Sequence, residues 1–119
     1  MLFKFDRYTP SQALPEGVKQ LDAAAARLKQ VELRSVRVVG HTDPQGTAAY
    51  NQKLGLQRAQ TVKALLIERG VPTGLIETES RGGAESVKRC TAALKGAALR
   101  ACNQPNRRVV IDFSYIAPR

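Results

Sequence analysis

The sequence predicts an α+β fold: a two-layer α/β sandwich with helices packed on a mixed sheet, in the order βαβαβαβ. Two observations predict it. Strand-like apolar runs or alternations take turns with stretches of helical periodicity, and Gly or Pro marks most of the boundaries. In addition, 119 residues with 43% hydrophobic content can fill one core but not two, so residues 1–119 are read as a single domain. No apolar run approaches the roughly 18 residues that a membrane span needs.

Each element has its own justification. Leu2-Phe3-Lys4-Phe5-Asp6 reads as a first strand rather than the long apolar segment of a signal peptide. Leu14, Val18, Leu21, Ala25 and Leu28 are spaced 4, 3, 4, 3, which is one helix face, and Pro15 suits its first turn. Val36–Val39 is a buried-strand run ended by Gly40. Ala59, Val62, Leu65 and Leu66 repeat helically, and Gly70 followed by Pro72 stops that helix. Gly55 allows two geometries: a break that restarts the helix with Arg58 in its first turn, or a continuous helix that keeps Asn51, Leu54 and Arg58 on one face. Leu75–Ser80 reads as a strand closed by Gly82-Gly83, and the Ala- and Leu-rich Thr91–Leu99 as a short helix, with Lys88–Gln104 otherwise left open. Val109, Ile111 and Phe113 alternate with Val110, Asp112 and Ser114 as a half-buried last strand.

The most informative stretch is Gly40-His41-Thr42-Asp43-Pro44-Gln45-Gly46, where a strand ends on a carboxylate in a Gly-bounded loop. Arg58 follows fifteen positions after Asp43, on a helical pattern. Strand end and helix together make a small two-signed site that suits a zwitterion, with Asp43 for an ammonium and Arg58 for a carboxylate. The same spacing is equally that of an internal Asp43–Arg58 ion pair pinning a turn.

Gly-His-Thr-Asp-x-x-Gly-x-x-x-Tyr-Asn-x-x-Leu-Gly-x-x-Arg-Ala-x-x-Val, from Gly40 to Val62, resembles the signature of OmpA-like peptidoglycan-binding domains. Gly70-Val71, Ile76, Gly82, Glu85-Ser86 and Asn106-Arg107-Arg108-Val109 follow in that family's order, and Leu2–Asp6 is similar to its first strand. The resemblance implies non-catalytic binding of peptidoglycan through the diaminopimelate of the stem peptide, anchoring the outer membrane to the cell wall from the periplasm. It implies Thr42, Asp43, Asn51, Leu54, Arg58 and Arg107 as ligand-binding residues, with Leu54 either walling the ligand's methylene stem or packing in the core. Such domains usually stand behind a membrane barrel or a lipid anchor, so this chain is expected to be an excised domain that does not itself enter the membrane.

Cys90 and Cys102 enclose eleven residues, close to the spacing in OmpA porins, and show no Cys-x-x-Cys redox pattern. They read as a structural disulfide, in keeping with the periplasm; two free thiols in a reducing compartment are the alternative. Reduction is expected to leave the ligand site intact, because the cysteines are remote from Asp43 and Arg58 in sequence.

The net charge is +9, and from Arg81 to Arg119 eight basic residues face two acidic ones. A basic surface module for nucleic acid or other polyanions is therefore the alternative function. Neither an RNA-recognition aromatic motif nor a basic DNA-reading helix is present, and the aromatics are only three Tyr and three Phe, so diffuse attraction to peptidoglycan is the better account. The lone His41 has no Cys or carboxylate neighbours at metal-ligand spacing, and Asp43 has no acid partner or nucleophile nearby. No metal, cofactor or catalytic group is expected.

Overall fold

The computed structural model describes residues 15–91 and 93–116, so the strand expected at Leu2–Asp6 and the helix-face residue Leu14 lie outside the described residues. In order, the described elements are α1 (Pro15–Leu28), β1 (Glu32–His41), α2 (Ala48–Glu68), β2 (Ile76–Gly82), α3 (Gly96–Cys102) and β3 (Val109–Ile116). Short 3₁₀ turns at Thr73–Leu75 and Gln104–Asn106 lead toward β2 and β3. The described sheet has the order β2-β1-β3, with β1 parallel to β2 and antiparallel to β3. It is thus the mixed sheet of an α+β fold, with β1 in the middle.

β1 is longer than the apolar run Val36–Val39 because pairing extends it in both directions. Glu32, Leu33 and Ser35 pair with β3 alone, Arg34 being an extra residue between them, and the stretch is mostly exposed, so no apolar pattern marks it. On the β2 side, Gly40 faces Ser80 but His41 faces Gly82, so β2 carries one extra residue, Arg81, where β1 ends. A bulge of this kind ends regular pairing and re-aims the chain.

Leu21, Ala25 and Leu28 of α1 meet Val36 and Val38 of β1, Ala59, Val62 and Leu66 of α2, and Ile76 and Val109 in a single core. Each fully buried Val or Leu there stabilises the fold by about 1.5–3 kcal/mol. Val18, expected on the inner face of α1, is 37% exposed.

α2 runs unbroken through Gly55, which settles the choice between a restarted and a continuous helix. Thr47 caps its start, its Oγ1 accepting the Tyr50 N–H at 3.1 Å. At the other end Gly70 takes a φ of 94°, and Val71 N–H returns to Leu66 O at 3.1 Å, so the helix stops where Gly70 and Pro72 mark it.

Gly55 also serves packing. A Cβ on Gly40 would overlap the Gly55 carbonyl oxygen, and a Cβ on Gly55 would overlap Ser80 Oγ. Two glycines facing each other let α2 settle backbone to backbone on β1.

The helix expected over Thr91–Leu99 forms instead over Gly96–Cys102. Its Ala and Leu content favours a helix, but other contacts decide the conformation of the residues before it. Asn106 Oδ1 accepts the N–H groups of Val87 and Lys88, Asn106 Nδ2 donates to Lys88 O, and Cys90 is joined to Cys102 by a disulfide. Lys95 remains extended at φ −140°, ψ 159°, and α3 starts only after it.

Candidate functional site

β1, the central strand, delivers His41, Thr42 and Asp43 to one end of the sheet, and the first half of α2 passes beside them. The Gly40–Gly55 approach sets how close that passage is. Between them lies a cavity of about 210 Å³ lined by Thr42, Asp43, Gln45, Gly46, Tyr50, Asn51, Leu54 and Arg58. At about 30 Å³ per water, it has room for one small head group rather than a length of polymer.

The polar contacts around this cavity hold its shape. Asp43 Oδ1 accepts the Gln45 N–H at 3.0 Å, closing an Asx turn, and Asp43 Oδ2 accepts Arg107 Nη1 at 3.3 Å. Thr42 Oγ1 donates to Asp43 O at 2.9 Å, and Asn51 Nδ2 donates to Gln45 O at 2.9 Å. The loop is thus pinned from its own strand and from α2. Arg58 is fully buried and its Nη1 donates to His41 O at 3.0 Å. Asp43 and Arg107 are also buried, at 4% and 5% exposure, so three charged side chains lie together out of water. Such burial is costly unless the charges are paired and hydrogen-bonded, as the contacts here provide. A carboxylate has about four acceptor directions, of which the two bonds above use about half.

Five of the six residues expected to bind ligand therefore line one cavity: Thr42, Asp43, Asn51, Leu54 and Arg58. Leu54 is buried, lines the cavity and lies outside the main core cluster. Arg107 is placed differently, behind Asp43, where the same Nη1 also donates to Arg100 O at 3.0 Å. Arg107 makes an ion pair with the acid, which the sequence spacing did not suggest. Asn106 holds the preceding loop, and Arg108 Nη2 donates to Glu85 O at 3.0 Å. Sequence reasoning missed Gln45 and Tyr50 as lining residues. Their signal was position, between the Asx turn at Asp43 and the first turn of α2.

His41 lies under the site, 3% exposed, with its Nδ1 lacking a hydrogen-bond partner among the described residues. Burial holds its imidazole below the ordinary 6.5, and the Arg108 guanidinium adds to the effect. Among the described residues no group of three or more His, Cys, Asp or Glu side chains could hold a metal ion, and no helix is long and apolar enough to cross a membrane.

Comparison with known proteins adds independent information. Residues 2–100 match the model of the OmpA family. The chain is 37% identical to outer membrane protein A of Shimwellia blattae over 98% of its own length, and 39% identical to that of Bordetella avium over 93%. It spans about half the length of these two relatives, 48% and 52%. Among solved structures, the peptidoglycan-associated lipoprotein of Burkholderia pseudomallei is similar with a TM-score of 0.74 at 28% identity, covering 95% of this chain and 87% of that one. The C-terminal domain of Helicobacter pylori MotB shares the fold with a TM-score of 0.74 at 22% identity, covering 98% of this chain and 86% of that one.

Proposed function

This chain belongs to the OmpA family, and from that premise we propose that it binds peptidoglycan without catalysis, gripping the diaminopimelate of the stem peptide. The observation that carries this reading is that Asp43 and Arg58, opposite in sign, line one small cavity with Leu54. The side chain of diaminopimelate ends in an ammonium and a carboxylate on one carbon. Asp43 takes the ammonium on its unused acceptor positions, and Arg58 takes the carboxylate with a planar fork. Leu54 covers the methylene stem, while Thr42 and Asn51 hold the loop in register. Arg107 acts through Asp43, fixing its carboxylate. The kinship with proteins named outer membrane protein A and peptidoglycan-associated lipoprotein supports a periplasmic domain of an outer-membrane protein, residues 1–119 forming one module that anchors the membrane to the wall. Each contact is individually modest and gains strength from repetition along the polymer.

The unaltered protein should pull down with sacculi rich in diaminopimelate and much less with walls that carry lysine at that position. Free diaminopimelate should compete, and free lysine should not. Arg58→Lys keeps the charge and loses the fork, so it should bind about ten- to a hundredfold more weakly while melting as a folded protein. Equal retention by the two wall types would refute the zwitterion reading.

A further inference from the structure

A second cavity, of about 420 Å³, opens on the other side of the Pro44-Gln45 segment, and Lys88, Arg89, Leu94 and Leu99 contribute to its walls. We infer that this groove is an extension subsite which takes a second carboxylate of the same stem peptide whose zwitterion occupies the first cavity. The inference rests on the reading of the first cavity given above.

Charge is the first reason. Arg37, Arg69, Arg81 and Arg107 each face an Asp or Glu within 4.0 Å. Lys88 and Arg89, like several other exposed cations, have no such partner among the described residues, but these two line one groove whose described walls carry no acid. The second reason is that the segment carrying them is held in place. Asn106, fully buried, takes the N–H groups of Val87 and Lys88 at 2.8 and 3.0 Å and donates to Lys88 O at 2.9 Å. Asn106 Nδ2 is braced in turn by Asn103 Oδ1 at 2.8 Å, and the next residue, Cys90, is tied to Cys102. Two cations on a fixed backbone lose less freedom on meeting an anion than cations on a mobile loop.

Continuity is the third reason. Gln45 lines both cavities, and its Oε1 is buried without a hydrogen-bond partner among the described residues. Leu94 and Leu99 give the crossing chain an apolar wall. Among the described residues the groove has no aromatic lining on which a nucleic-acid base could stack, so a carboxylate-bearing peptide fits better than an oligonucleotide.

The test compares three soluble ligands by calorimetry: free diaminopimelate, a stem tripeptide ending in diaminopimelate with a free glutamyl α-carboxylate, and the same tripeptide with that carboxylate amidated. The unaltered protein should prefer the free-acid tripeptide over its amide by about three- to tenfold at low salt, since exposed charge pairs are individually weak. A Lys88→Gln/Arg89→Gln double variant should bind both tripeptides alike and free diaminopimelate as the parent does. The proposal is overturned if the parent does not distinguish acid from amide. It is also overturned if the double variant weakens all three ligands equally, or if the variant loses only binding to short polyphosphate, measured alongside as a polyanion control. Any of these leaves the parent's binding of diaminopimelate intact. If the parent binds none of the three, the reading of the first cavity fails, and the extension with it.

Discussion

Two donors of different origin meet at Asp43, one from the backbone two residues on and one from a side chain sixty-four residues away. Next to them in the chain is His41, whose backbone oxygen takes the Arg58 guanidinium while its buried ring feels the charges of Arg108, Arg81, Glu85 and Glu79. Burial and the two arginines depress the imidazole, and the two glutamates oppose them only in part. The sign of the linkage follows. The unfolded chain binds a proton at His41 as the pH falls below 6.5, whereas the folded protein resists until the pH reaches the lowered value. The contribution of His41 to stability is therefore full above 6.5 and is lost as the pH falls from there toward the folded value. Because the chain contains one histidine, its ring proton resonances give an unambiguous titration. Their midpoint in the folded protein should lie below 6.5; a midpoint at or above that value sinks the assignment. Denaturant melts should lose stability as the pH falls below 6.5, and that loss should shrink in His41→Gln.

α2 reaches the site only because Gly40 and Gly55 let two backbones touch. Gly40→Ala drives a methyl into the Gly55 carbonyl oxygen, and neither backbone can rotate away. It should cost about 3 kcal/mol, at the upper end of overpacking, and should weaken ligand binding by shifting Arg58. Gly74→Ala, whose added carbon meets nothing within 4 Å, is the matched control and should melt near the parent. A Gly40→Ala protein as stable as that control would mean that α2 does not rest on β1 as described. At this scale the legibility of the sequence was uneven, for physical reasons. The stop of α2 at Gly70 is local chemistry, readable from Gly70 and Pro72. The role of Gly55 was not readable, because a helix cap and a close-packing contact call for the same residue. Thr91–Lys95 misled because Ala propensity is a weak force beside a disulfide and the Asn106 bonds. Five lining residues could be named in advance, since they sit on two consecutive elements. The pairing of Arg107 with Asp43 could not, because it depends on β3 returning antiparallel to β1, with Val109 opposite Gly40.

Across the whole molecule, the disulfide ties the least regular third of the chain to itself, and its influence does not end there. Arg107 Nη1 donates both to Asp43 and to Arg100 O in α3, two residues before Cys102. Contrary to what sequence remoteness implied, α3 is thus linked to the acid of the site. Removing the crosslink should cost about 3 kcal/mol and lower Tm by about 10 °C. Reduction should also weaken diaminopimelate binding severalfold, an effect absent if Arg107 is held by Asp43 alone. Intact mass and alkylation should find no free thiol in periplasmically produced protein. The position of the site at the end of β1 has a mechanical consequence. A wall fragment held there and pulled along the strand puts β1 under tension between two hydrogen-bonded partners. Ladder bonds lie across the strand axis, so such a pull shears many of them at once, whereas an edge strand would peel bond by bond. Where the grip outlasts the fold, a tether built this way would fail at the rate of its forced unfolding, and in the described sheet the middle strand slows that rate more than an edge strand would.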